Sequence, residues 1–181
     1  MVEVVDRAAT LIGIAHEAIA RREPPAPRQP WPEAWLAERG ASFVTLRLDG
    51  ELRGCIGTID AHRALGDDVA HNAFAAAFRD PRFEPVSDAE LGRLVVEVSV
   101  LGPRVPMNVA TEAEALAAMR PGIDGIYLEF NELRSTFLPQ VWESLPDPLD
   151  FLCELRRKAG LPARFWDERI RLSRYTVEKF Q

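Results

Sequence analysis

At 181 residues the chain suits a single domain able to bury roughly 70% of its unfolded surface, enough for a real core. Its 47% hydrophobic and 28% charged residues are those of a globular protein and exclude a disordered or fibrous one. A net charge of −6, from 28 acidic and 22 basic residues, argues against broad nucleic-acid binding, which needs a basic face.

Residues 2–22 are predicted helical, because Val5, Ile12 and Ile19 recur every seventh residue while Leu11, Ala15 and Ala18 widen the stripe. Glu23-Pro24-Pro25-Ala26-Pro27-Arg28-Gln29-Pro30 stops that helix, since proline lacks the amide donor and restricts the residue before it. This segment is expected to be an extended surface strap, with Trp31 and Trp35 pinning it to the body. A hairpin follows, with strand 43–48, an Asp49-Gly50 turn and a return strand 51–59. A two-residue turn puts Arg53 opposite Leu46 and Cys55 opposite Val44.

Residues 64–79 read as an alanine-rich helix with Leu65, Val69, Ala73 and Ala76 inward, ending at Asp80-Pro81. Strand 94–100 is rich in β-branched residues and bounded by Gly92 and Gly102-Pro103. Thr111-x-x-Glu114 opens a short helix to Met119 through a capping box. Strands 123–130 and 133–138 flank Asn131-Glu132. Asp147 caps the next helix, with Pro148 at its first position and Gly160 and Pro162 beyond its end. The contiguous Arg156, Arg157 and Lys158 read as a solvated face. A terminal strand spans 170–180. With no βαβ alternation, the expected class is α+β with mostly antiparallel sheets.

Two cysteines, Cys55 and Cys153, are too few for a secreted disulfide framework and point to a reducing compartment. Glu3 and Asp6 do not suit a signal peptide, and no apolar run nears the roughly 18 residues of a membrane span. A cytoplasmic protein with no membrane partner is therefore expected. The segment richest in chemistry is Leu52-Arg53-Gly54-Cys55-Ile56-Gly57. Side chains alternate along a strand, so Arg53, Cys55 and Gly57 share a face. A guanidinium about 6.5 Å along the strand from a thiol can lower the thiol's pKa. Two glycines this close mark a bulge or a close approach to the backbone. Arg53 and Cys55 beside bare backbone thus form a candidate small-molecule site.

The same strand also has a structural reading. Cysteine often serves as a small buried hydrophobe, and a buried Arg53 needs a carboxylate. Glu97 is the expected partner, because Val95, Glu97 and Ser99 share one face of a strand otherwise made of valine and leucine. His62 and His71 follow the Cys55 strand and are candidate bases for its thiol. Asn72 puts an amide on the apolar stripe of the helix, to be satisfied internally or to face a pocket. His16, His62 and His71 lack metal-ligand spacing, and P-loop, dinucleotide and zincin patterns are missing, so neither metal nor cofactor is expected.

Leu52–Gly57, then Ala76-Ala77-Phe78-Arg79-Asp80-Pro81-Arg82-Phe83, then Val96-Glu97-Val98-Ser99-Val100-Leu101, resemble the AMME-region domain family, also called AmmeMemoRadiSam system protein A. Gly122-Ile123-Asp124-Gly125-Ile126, Phe137-Leu138-Pro139-Gln140-Val141 and Arg157-Lys158-Ala159-Gly160-Leu161 extend the resemblance over nearly the whole chain. Arg134-Ser135-Thr136 departs from it, standing where many bacterial members have glycine and leucines. The resemblance implies a single domain over residues 1–181 in two α+β lobes, with the Leu52–Gly57 strand near their cleft. It implies Arg53, Gly54, Cys55, Gly57, Asp80, Arg82, Glu97 and Lys158 as site positions. It also implies a system in which the domain accompanies a Memo-type protein, similar to extradiol dioxygenases, and a radical S-adenosylmethionine enzyme.

Two functional readings stand open. In one, Cys55, Arg53, Glu97 and His71 are catalytic groups of an enzyme or enzyme subunit. Gly54, Gly57, Asn72, Asp80, Arg82 and Lys158 then hold a small anionic or aromatic metabolite. In the other, the domain is a non-catalytic adaptor for a Memo-type or radical S-adenosylmethionine partner, and the hexapeptide is a packed hinge.

Overall fold

Asp6 is the first residue that the structure, a computed structural model covering residues 6–181, describes, and it caps the first helix. Its carboxylate accepts the Ala8 and Ala9 N–H groups at 3.0 and 3.2 Å, opening α1 (Arg7–Arg21). The predicted helical start at residues 2–5, Val5 included, lies outside the described residues. The strap leads to Trp31, which is buried against Gly66 as an anchor should be. α2 (Ala34–Ala37) follows, and a short bridge pairs β1 (Arg39–Gly40) with β4 (Arg63–Ala64) ahead of α3 (Leu65–Phe78).

β2 (Ser42–Leu48) and β3 (Glu51–Gly57) form the expected hairpin, with Asp49 and Gly50 both at positive φ. After the short α4 (Asp88–Leu91), β5 (Leu94–Leu101) pairs with the other side of β2. The last strand, β10 (Val177–Phe180), completes the order β10-β5-β2-β3 and leaves β3 at an edge. Val44, Leu46, Val96 and Val98 turn to one face and pack with Leu11, Ile14, Val69 and Ala73 of α1 and α3. These elements make one compact unit, comprising residues up to Leu101 and Glu178–Gln181.

The hairpin register corrects the sequence expectation. Leu52 pairs with Arg47, Gly54 with Leu46 and Cys55 with Thr45, and the irregularity between Leu46 and Arg47 leaves Arg53 without a partner. The expected pairs, Arg53 with Leu46 and Cys55 with Val44, fail because a β-bulge inserts one residue that the turn does not announce. Leu52 thereby joins the face of Cys55, while Gly54 lies against α3. A Cβ at Gly54 would stand 2.2 Å from the Ala76 carbonyl oxygen, so only bare backbone lets the helix lie this close.

The second unit, Gly102–Val177, is likewise antiparallel. Its sheet has the order β6 (Val105–Met107), β9 (Arg171–Tyr175), β7 (Gly125–Phe130) and β8 (Leu133–Phe137). α5 (Glu112–Ala118) and α6 (Pro148–Lys158) carry the caps expected at Thr111 and Asp147. Phe151, Leu152 and Leu155 pack with Ile126, Leu128 and Leu172, and Trp142 stacks on Phe151 at 3.8 Å. The predicted single strand 170–180 is in fact two. It breaks at Thr176, whose carbonyl accepts the Gly102 N–H at 2.8 Å, and its halves belong to different sheets. Among the described residues no helix is long and apolar enough to cross a membrane.

Two glycine substitutions test this packing with opposite signs. Gly54→Ala is expected to lower stability by about 1–3 kcal/mol, since the helix backbone must move. Gly13→Ala, where nothing lies within 4 Å of an added Cβ in the middle of α1, is expected to raise it by about 0.5–1 kcal/mol. Urea melts of both variants measure the difference.

Candidate functional site

Because β3 ends its sheet, the backbone groups on its outer side need partners that are not strands. At Cys55 two side chains supply them. Asp80 Oδ2 accepts the Cys55 N–H at 2.9 Å, and Arg82 Nη2 donates to the Cys55 carbonyl at 3.1 Å. The two also hold each other, Arg82 donating from Nε at 2.9 Å and from Nη2 at 2.7 Å. Asp80 is buried just past the end of α3. Its bonds to Arg82 hold the carboxyl well below the usual carboxylate range, outweighing the opposing effect of burial. Asp80 in turn raises the guanidinium of Arg82.

Arg53, displaced by the bulge, reaches toward the segment after α3. Its Nε donates to Glu90 Oε1 at 2.7 Å, Nη2 to Glu90 Oε2 at 3.2 Å, and Nη1 to the Glu84 carbonyl at 2.8 Å. Glu90 Oε2 also accepts Ser87 N and Oγ, both at 2.8 Å. The Arg53 bonds are the main cause that lowers the Glu90 carboxyl from 4.5 to about 2. The expected Arg53–Glu97 pair does not form. Glu97 lies on β5 opposite Thr45, separated from β3 by β2, and its ion-pair partner is Lys179 at 3.7 Å.

The thiol of Cys55 is half-buried and accepts a hydrogen bond from Thr45 Oγ1 at 3.3 Å. Register sets Cys55, Thr45 and Glu97 in one row across three strands. No hydrogen bond joins Cys55 to a histidine among the described residues. His62 turns its Nδ1 to the Asp60 carbonyl at 2.8 Å. His71 lines a cavity under the strap, where burial, and then Arg63, push its imidazole below the usual range. Gly57 lies beneath the Phe43 ring, 2.2 Å from where its Cβ would be.

Asn72 resolves its two alternatives inward. Its Nδ2 donates to the Ser42 carbonyl and to Asp68 Oδ2, both at 3.0 Å, and its Oδ1 accepts from Thr58 Oγ1 at 3.3 Å. Asp68 Oδ2 takes Ser42 N and Oγ as well, at 2.8 and 2.7 Å. This network bolts α3 to β2 and leaves Asn72 no surface for a ligand, the residue being 2% exposed. Lys158 belongs to the second unit. Its Nζ donates to the Thr136 carbonyl at 2.9 Å and sits 5.0 Å above the Phe137 ring, and burial lowers its pKa.

Sequence reasoning missed Glu90, Thr45 and Asp68. Glu90 had a readable signal, since Ser87-x-x-Glu90 is a capping-box pattern that fixes the carboxylate on a helix start. Asp68 and Thr45 had none. Among the described residues no group of three His, Cys, Asp or Glu side chains could hold a metal ion.

The profile of the AMMECR1 family matches residues 12–180. A protein of Methanothermobacter thermautotrophicus is 40% identical over 155 residues, covering 82% of this chain and 78% of its own. A protein of Thermotoga maritima is 36% identical over 157 residues, covering 86% and 85%. The crystal structure of uncharacterized protein PH0010 from Pyrococcus horikoshii superposes with a TM-score of 0.79 at 33% identity, covering 95% of this chain and 89% of that one.

The lowered carboxyl of Glu90 has a pH signature. A carboxyl whose folded pKa is depressed confers stability that is complete above its unfolded value, about 4.5, and is lost as pH falls toward about 2. Glu90→Gln is expected to destabilise the protein by about 1–2 kcal/mol at neutral pH. It should also flatten the loss of stability between these two pH values. Chemical melts at a series of pH values measure both effects.

Proposed function

The chain belongs to the AMMECR1 family, and from that premise we propose that its first unit works as a non-catalytic binding module. The observation that carries this reading is the commitment of Arg53 to Glu90 and the Glu84 carbonyl. An arginine so engaged is a poor anion receptor, and the segment it fixes becomes a rigid exposed loop. Fixing a loop before binding removes much of the ordering entropy that binding would otherwise cost. The carboxylates argue the same way. Asp80 and Glu90 are held far below neutrality, whereas a general acid or base works best with a pKa near the operating pH.

The contact surface in this reading is the segment after α3, whose Pro81, Arg82, Glu84 and Pro85 are exposed. The partner class is the one that the family resemblance carries, a Memo-type or radical S-adenosylmethionine protein. Two free cysteines suit a reducing, cytosolic setting, which is part of the proposal.

A second reading keeps Cys55 as a reactive thiol toward a small metabolite. It is favoured by the half-buried sulfur and its Thr45 hydroxyl donor.

Two measurements separate the readings. For a binding module, Cys55 in the folded protein should be alkylated no faster than a free cysteine. Cys55→Ser should bind the partner encoded beside it with unchanged affinity, and Glu84→Arg should weaken that binding about tenfold or more. Alkylation of Cys55 at least about tenfold faster than that of free cysteine would favour the enzyme reading. Normal partner binding by Glu84→Arg would remove the loop as the contact.

A further inference from the structure

The proline strap does more than end α1. Pro25, Ala26, Pro27 and Gln29 form one wall of a cavity of about 330 Å³ within the first unit. Arg63, Ala64, Asp67 and His71, where β4 runs into α3, form the other. The volume lies in the range of small-metabolite sites.

The polar groups of these walls divide into engaged and unengaged. Asp67 Oδ1 accepts the Arg28 N–H at 2.8 Å, which ties the strap to α3 and fixes the cavity's width. Among the described residues the side chains of Arg63, His71 and Gln29 make no hydrogen bond. Arg63 has only an ion pair. Its Nε stands 3.1 Å from Oδ1 of the fully buried Asp68, and neither atom has an aligned hydrogen-bond partner. A buried carboxylate therefore holds the guanidinium at the cavity while its N–H donors stay unused. Unengaged donors of this kind call for an acceptor.

We propose that this cavity binds a small monocarboxylate with a flat apolar body. The fork of Arg63 takes the carboxylate, His71 and Gln29 donate further hydrogen bonds, and the body lies against Pro25, Ala26 and Pro27. Asp67 adds a negative charge to the wall, which selects a single carboxylate over a di- or triphosphate. His71 is the reporter of occupancy. Burial, then Arg63, Arg79 and His62, disfavour its protonation, Asp68 favours it, and Asp67 shares its wall. A carboxylate bound beside it shifts that balance toward the protonated ring.

Benzoate, titrated into the full chain with the His71 ring followed by NMR, tests the proposal. The expected result is a saturable shift at millimolar concentrations and a rise in the His71 pKa. Benzamide, the uncharged isostere, should bind at least about tenfold more weakly. Arg63→Gln should abolish saturation. Should that variant unfold for want of a cation opposite Asp68, Arg63→Lys keeps the charge, loses the fork, and is expected to bind about tenfold more weakly. Equal binding of benzoate and benzamide, a His71 ring unmoved by benzoate, or an Arg63→Lys protein that binds as well as the wild type would each overturn it.

Discussion

An edge strand carries N–H and C=O groups that no neighbouring strand satisfies, and β3 meets that demand at Cys55 with a carboxylate and a guanidinium. The rest of the first unit follows from it. Asp80 must stand beside the strand, so α3 must end there. For α3 to end there it must lie close on the sheet, which Gly54 allows and any larger residue would prevent. The chain leaving Asp80 then passes along the open edge, where Arg53 fastens it through Glu90 and the Glu84 carbonyl. The two motifs that look most like chemistry, the hexapeptide and the Asp80–Arg82 pair, are two halves of one edge closure.

Charge is distributed in two distinct ways in this unit. Along the β3 edge, each carboxylate is saturated by an arginine and by N–H groups, and is locked in its ionised form throughout the neutral range. Under the strap the buried Asp68 holds a half-buried Arg63 by an ion pair alone, and the His71 imidazole and the Gln29 amide make no hydrogen bond. Saturated groups build structure, and unengaged groups leave room for something else. In the second unit burial is the leading cause of two further shifts, opposed at Tyr175 by the Thr136 hydrogen bond and by Arg104. Tyr175 is pushed up to about 12 and Lys158 is lowered, while the fully buried Arg156 is held by Glu112 at 2.5 Å and the Ala163 carbonyl at 2.8 Å.

Much of this architecture was legible in the residues. The Asp49-Gly50 turn, the caps at Thr111 and Asp147, and the inward alanines of α3 all rest on local rules that tertiary structure did not override. The bulge was not legible as to position. Two glycines announced some irregularity in β3, but nothing local says that the extra residue is Arg53, and one residue of register reverses which side chains share a face. The assignment of Glu97 to Arg53 failed because β2 lies between their strands, and strand order is not written in any local pattern. Asn72 was readable as a buried amide, yet only Asp68, four residues earlier on α3, stands at a helical spacing from it, while Ser42 and Thr58 come from distant parts of the chain. The break at Thr176 was hidden because both halves of 170–180 have ordinary strand composition.

That break also says something about how the chain is assembled. β5 and β10 are neighbours in the first sheet, and along the chain residues 102–176 connect them. The Gly102 N–H and the Thr176 carbonyl meet at 2.8 Å, so the outgoing and returning strands are stitched together where the excursion begins. A segment attached in this way behaves as a long loop closed at its neck. Its length is nearly invisible to the host sheet, because closing entropy grows only with the logarithm of loop length. The excursion can therefore lengthen, shorten or be exchanged without disturbing the strand order that holds Cys55 at its edge.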